Sequence, residues 1–314
     1  MIDKSNHHVL IIDDVHPDFL KLLRNFEVVY KPEITLEDLP EALRDANILV
    51  IRSKLNFDKN WIDKSPRLKL IGRLGSGMDN IDIDYAQTKS IDCINAPEGN
   101  RNAVAEQTIG MMLSLLSNIV KSNIEISRKL WLRKENEGVE LKNLTVGIIG
   151  YGNVGKVLAQ RLKSFNCEIL AYDKYIKDFG DELVEESTLE EVQNRADIIS
   201  LHVPLNPYSQ EMINNSFIEK MSKPFYLLNL SRGKVVSVPA VMDGLSQGKI
   251  LGLALDVLPN ESLGTYSFKE KEELEFLIGH NRVILTPHTG GLTQDSYQML
   301  AHVLAEKLIL WTRK

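Results

Sequence analysis

The feature that most constrains this chain is a recurring alternation. Short runs of Val, Ile and Leu, such as "HVLIID", "NILVIRS" and "LKLIG", are separated by amphipathic segments such as "PDFLKLLRNF" and "LEDLPEALRDA". Such runs, apolar on both faces, read as strands of a parallel sheet, and the segments between them as helical crossovers. The pattern occupies roughly residues 7 to 96 and starts again at Leu144, with "TVGIIG", "EILAYD", "ADIISLHV", "FYLLNLS", "LGLALDV" and "VILTPH". Between the two lie a Pro/Gly/Asn cluster at residues 95–102 and a long helical pattern from Ala103 to about Leu130, apolar almost all round. A helix of that kind is expected to be buried on more than one side. Two α/β units follow, in a chain of 314 residues that is long enough for both.

Composition narrows the function classes. Asp and Glu number 43 against 37 Lys and Arg, a net charge of −6, so nothing draws the chain generally to nucleic acid or to an anionic membrane. Any anion site is local. The two cysteines, Cys93 and Cys167, have neither disulfide-framework nor metal-ligand spacing and read as packed residues; no metal is expected. The start, "MIDKSNHHVLIIDD", lacks a signal-peptide layout, and "IGMMLSLLSNIV" is too short and too interrupted to span a bilayer. A soluble cytoplasmic protein is expected.

The stretch "VGIIGYGNVG" carries Gly150, Gly152 and Gly155 between a predicted strand and a predicted helix. In that setting the first glycine allows a tight turn, the second lets the backbone approach a pyrophosphate, and the third packs helix on strand. Gly150, Tyr151, Gly152, Asn153, Val154 and Gly155 are therefore candidate nucleotide contacts at the positive end of the helix. Asp173 ends the next predicted strand, 23 residues after Gly150, where a carboxylate reaches ribose hydroxyls and repels a 2′-phosphate. NAD is the cofactor this predicts.

Ligands of an open parallel sheet lie beyond the carboxyl ends of its strands. Three later strands run into Arg232, Glu261 and His288. Histidine is the side chain suited to exchange a proton near neutral pH. Glu261 can hold the far ring nitrogen, and Arg232 offers a donor fork to a carboxylate. The set suits oxidation of a secondary alcohol bearing a carboxylate.

An ordered series of stretches, "NAPEGNRNAVAEQTIGMML", "VGIIGYGNVGK", "ADIISLHVPLNPYS", "NLSRGKVV", "ALDVLPNES" and "TPHTGG", resembles the D-isomer-specific 2-hydroxyacid dehydrogenase family over nearly the whole chain. The resemblance implies that Arg232, Glu261 and His288 are the catalytic set. It also implies that His202, Val203, Pro204, Ser231, Asp256, Gly290 and Gly291 border the nucleotide. The fold it implies is a Rossmann dinucleotide-binding domain, a doubly wound parallel sheet, inserted into a flavodoxin-like α/β substrate domain, with the active site in the cleft between them. Residues 1–97 with 289–314 would form the substrate domain and 98–288 the NAD domain, including a helix and dimerisation arm at 103–143.

Within the family, "VIRSK", "IGRLGSGMDNID" and "KLWLRKENEGVEL" are most similar to the phosphoglycerate dehydrogenase branch. That similarity implies substrate contacts at Arg52, Ser53, Arg73, Ser76, Gly77 and Arg133, the last from the partner subunit of a homodimer. Arg52 and Arg73 both follow strand-like runs, and charge-assisted hydrogen bonds of about 1.5–3 kcal/mol each would favour a doubly anionic 2-hydroxy acid. Ser262 stands where many members have Pro, and the segment through residue 281 departs from the family pattern. No C-terminal amino-acid-binding regulatory domain is expected. Two other readings stay open: glyoxylate/hydroxypyruvate reductase or D-lactate dehydrogenase chemistry, and a non-enzymatic NAD-responsive binding protein.

Overall fold

The computed structural model describes residues 7–313, which divide into two compact units: residues up to 101 together with 292 onward, and residues 102–291. The first unit carries five strands: β1 (His8–Ile11), β2 (Glu27–Tyr30), β3 (Ile48–Ile51), β4 (Leu70–Arg73) and β5 (Asp92–Asn95). They pair in parallel in the order β2-β1-β3-β4-β5, the flavodoxin-like arrangement. All four residues of β3 are fully buried, so each of its faces is covered. One face packs on the C-terminal helix Gln294–Trp311 through Leu300, Leu304 and Leu308, and the other on Leu39, Leu43 and Phe57. The helix comes close because Gly99 faces Leu300: a Cβ there would lie 2.7 Å from the Leu300 backbone.

The second unit carries seven parallel strands: β6 (Thr145–Ile149), β7 (Glu168–Tyr172), β8 (Glu185–Glu186), β9 (Ile198–Leu201), β10 (Phe225–Asn229), β11 (Ile250–Leu255) and β12 (Val283–Leu285). Their order, β12-β11-β10-β9-β6-β7-β8, reverses between β6 and β9. This is the doubly wound Rossmann order with one extra strand, and the reversal is the switch point where such sheets open to a ligand. Every strand candidate read from the sequence is a strand; β8, only two glutamates long, carries no apolar signal.

The long central helix is a correction. Helix starts at Pro97, inside the segment read as a loop, because Pro fits the first helical turn. It does not run to Leu130. Asn118 adopts the left-handed region (φ +53°), ending the helix Pro97–Leu116 and starting a second, Ile119–Ser127, bent 61° from it. The break is held by side-chain bonds: Asn118 is buried, donates to the Glu137 carbonyl and accepts from Arg282. The first helix is largely buried, as expected, but the second exposes Ile119, Val120, Ile124 and Ile126. No single helix among the described residues is long and apolar enough to cross a membrane. Both cysteines are free and half-buried, and desolvation pushes the Cys93 thiol up to about 11.

Candidate active site

The carboxyl ends of β6, β7, β9, β10, β11 and β12 bring the candidate residues to one edge of the second unit's parallel sheet. At the switch point, Gly150 has φ +98°, a conformation that L side chains rarely adopt, and a Cβ on it would lie 2.4 Å from the His202 carbonyl oxygen. A Cβ on Gly155 would lie 2.2 Å from the Gly150 carbonyl oxygen, so the helix Asn153–Leu162 sits directly on the loop. Around Gly152 the space is open, and no side chain caps the helix that follows. An open glycine face over uncapped N–H groups fits a pyrophosphate.

The remaining nucleotide candidates divide between lining and support. The Asp173 carboxylate accepts the Tyr151 N–H (2.8 Å) and those of Tyr175 (2.8 Å) and Ile176 (3.0 Å), so it ties the glycine loop to the end of β7. The Tyr151 ring is buried and stacks on Phe179 (4.4 Å between centroids), leaving its backbone to shape the loop. Val154 and Val203 pack on the two apolar cores, and the Pro204 carbonyl accepts the Ser209 hydroxyl. His202 donates its N–H to Ile149 at the end of β6, and its Nε2 bonds Ser200 Oγ at 2.8 Å. Desolvation holds the His202 imidazole down to about 4, so it stays neutral.

The loops that carry Arg232, Glu261 and His288 are fixed by buried or half-buried residues, some of them, such as Asn229 and Gln107, without any signal in the sequence. Asn229, fully buried at the end of β10, accepts the Ser231 N–H and hydroxyl and donates to the Arg232 carbonyl, which folds the loop that carries Arg232. Directly after it, a Cβ on Gly233 would lie 2.0 Å from the Leu258 carbonyl carbon. The Arg232 loop and the loop leading to Glu261 therefore touch backbone to backbone.

Asp256, 2% exposed, is the anchor of the third loop. Its Oδ1 accepts from Gln107 Nε2 (2.9 Å), Thr286 Oγ1 (2.5 Å) and the Thr289 N–H (2.9 Å), and its Oδ2 from the Gly290 N–H (2.8 Å). Its backbone carbonyl takes the His288 N–H at 2.7 Å. His288 itself has φ +54°, a strained setting for a side chain other than glycine. The strain presents the ring outward, with Nδ1 2.9 Å from Glu261 Oε2. With Nδ1–H donated to the carboxylate, Nε2 of the neutral ring is left as an acceptor.

Both side chains of this pair are 47% exposed. An exposed ion pair contributes only about 0–1 kcal/mol. The geometry of the pair therefore comes from the loops rather than from its own attraction.

In the first unit, Arg52 and Arg73 stand at the ends of the neighbouring strands β3 and β4. The Asp13 carboxylate accepts the N–H groups of Arg52 (2.7 Å) and Ser53 (3.4 Å). The Arg52 guanidinium lies 5.5 Å from the ring centre of Tyr297, whose hydroxyl donates to Asp14. The Arg73 guanidinium lies over Gly75, where a Cβ would come within 1.7 Å of it. Ser76 donates to Asn100 and takes Asn95 Nδ2 on its carbonyl, with Gly77 next in the loop. Arg133 belongs to the second unit, exposed at the head of the short turn Lys134–Asn136. Among the described residues no group of three or more His, Cys, Asp and Glu could hold a metal ion.

Comparison with known proteins gives the family. The model of the "D-isomer specific 2-hydroxyacid dehydrogenase, NAD binding domain" matches residues 109–290. The chain belongs to the D-isomer specific 2-hydroxyacid dehydrogenase family. It is 36% identical over 306 residues to the D-3-phosphoglycerate dehydrogenase of Methanocaldococcus jannaschii, covering 96% of this chain and 56% of that protein. It is 32% identical to the Escherichia coli enzyme of that name, covering 99% and 76%. The chain thus spans little more than half the length of the first of these relatives. Among solved structures, the D-lactate dehydrogenase of Aquifex aeolicus, complexed with NAD and lactic acid, superposes with a TM-score of 0.83 at 25% identity, covering 98% of this chain and 96% of that one.

The backbone contact at Gly233 gives a test. Gly233→Ala forces the Leu258–Pro259 backbone away and is expected to destabilise the second unit by about 1–3 kcal/mol. Urea unfolding measures this; an unchanged midpoint would show that the two loops are not in contact.

Proposed function

We propose that the chain oxidises a D-2-hydroxy acid with NAD, and that the acid is 3-phosphoglycerate, giving 3-phosphohydroxypyruvate. The observation that carries the reading is the His288–Glu261 pair at the strand ends that also bear Arg232. Nε2 of His288 takes the proton of the substrate hydroxyl. Glu261 holds the tautomer in which that nitrogen is free and stabilises the imidazolium that forms. Arg232 binds the substrate carboxylate and the adjacent oxygen through its donor fork. Bound nicotinamide supplies the hydride acceptor. The residues fit that group: the glycine loop gives the pyrophosphate room and N–H donors, and Asp173, which still has acceptor capacity, disfavours a 2′-phosphate.

The phosphate reading rests on Arg52 and Arg73, side by side at the ends of β3 and β4, with Ser53, Ser76 and Gly77 in the same loops. D-3-phosphoglycerate dehydrogenases among the relatives support it. The family likeness to a D-lactate dehydrogenase favours a second reading, in which the substrate is an unphosphorylated acid and these arginines have no phosphate to bind. We also propose a homodimer, with Arg133 reaching the partner's substrate. The segment around Arg133 exposes Leu130 and Trp131, the latter 78% exposed, next to the apolar residues of the helix Ile119–Ser127. Sedimentation equilibrium should return twice the chain mass; a monomer at assay concentrations would remove this part.

NADH formation with 3-phosphoglycerate, D-glycerate and D-lactate tests the substrate. The phosphorylated acid should give the highest kcat/KM, and Arg52→Ala should lower it for that substrate about ten- to a hundredfold, as loss of a charge-assisted bond does. Equal losses on all three acids would assign Arg52 no part in phosphate recognition. His288→Ala should lower kcat about 10²- to 10⁴-fold with NAD affinity preserved. Comparable loss of NAD binding would contradict its role.

A further inference from the structure

The segment after Glu261 is built into a hydrogen-bonded network around that residue. Asn260 Nδ2 donates to Glu270 Oε1 (3.0 Å) and Thr265 Oγ1 (3.2 Å), while its Oδ1 accepts the Ser262 N–H (3.0 Å). The Tyr266 hydroxyl donates to the Asn260 carbonyl at 2.6 Å. Thr265 closes on Ser262 through both its N–H and its hydroxyl, each 2.8 Å from the Ser262 carbonyl. The residues on both sides of Glu261 are thus tied to the segment, while the Glu261 carboxylate is spent on His288.

That segment is itself anchored. Glu270 caps the helix Phe268–Gly279 by accepting the Ser267 N–H and hydroxyl, both at 2.7 Å. The hydroxyl and N–H of Ser267, together with the Asn260 amide, hold the Glu270 carboxyl down to about 2, so it remains an acceptor at any assay pH. The helix is pinned by Leu277, 1% exposed, within the core that includes Val238 and Leu258.

We infer that residues 262–279 brace Glu261, with Asn260, Tyr266 and Glu270 as positioning residues that fix the carboxylate against His288 Nδ1. The inference rests on the proposed roles of Glu261 and His288. An exposed Glu–His pair does not hold its own geometry, and a misplacement of about 1 Å at a reacting centre can reduce rate a hundredfold. A brace on the adjacent backbone supplies what the pair lacks.

A double-mutant cycle in kcat, run on the full chain with the 2-hydroxy acid it oxidises best, separates positioning from general support. Asn260→Ala is expected to lower kcat about 10- to 100-fold and Tyr266→Phe about 3- to 10-fold, with NADH affinity held, because both act through Glu261. In a Glu261→Gln background the same changes should have less than about a twofold effect. Equal fold-losses in the two backgrounds, or no loss in the wild-type background, would overturn the brace. If Asn260→Ala does not fold, Tyr266→Phe, which removes one hydroxyl, decides alone. Wild-type activity in both His288→Ala and Glu261→Gln would sink the underlying reading and the brace with it; an additive cycle alongside an inactive His288→Ala sinks the brace alone.

Discussion

A single buried carboxylate organises the chemistry-bearing edge of the second unit. Asp256 leaves the end of β11 and satisfies donors from the helix Pro97–Leu116, from Thr286 just past β12, and from the Thr289 and Gly290 backbone. Charge-assisted bonds to a buried carboxylate are among the stronger polar contacts in a protein, and leaving any of their donors unmet is costly. The turn Thr286–Gly290 is therefore held to β11 at several points. His288 sits in the middle of that turn with a backbone conformation it would not choose freely.

Around that anchor, rigid and reactive groups are separated. The residues that fix geometry are buried and either hydrogen-bonded, as Asp256 and Asn229 are, or closely packed, as Gly150, Gly155 and Gly233 are. The residues assigned to chemistry are more open, with His288 and Glu261 each about half exposed. This arrangement lets a substrate reach groups whose own interactions are weak. Their placement is preset by buried, hydrogen-bonded residues beneath them.

Much of this was legible in the residues. The apolar runs mark the strands of both sheets because parallel strands are buried on both faces, and the three side chains proposed for the chemistry follow three such runs. The break at Asn118 was not legible, since apolar periodicity continues on either side and neither Gly nor Pro marks the bend; only the buried amide's partners at Glu137 and Arg282 explain it. Asn229 ends a strand and Gln107 lies within a helix, and nothing in the sequence sets either apart. Their importance depends on partners 3 and 149 positions away. The family resemblance implies only that Asp256 borders the nucleotide. Its bonds show a second task, holding the His288 turn, that spacing does not reveal.

The most direct measurement is on Asp256→Asn, followed by kcat and by thermal unfolding. The substitution keeps the side chain's shape but sets an NH₂ against an N–H that the carboxylate accepts, at a cost of about 1–3 kcal/mol. A clamp on the His288 turn predicts a lowered unfolding temperature together with a kcat reduced about tenfold or more. A variant as stable and as active as the parent chain would mean that the position of His288 does not depend on Asp256.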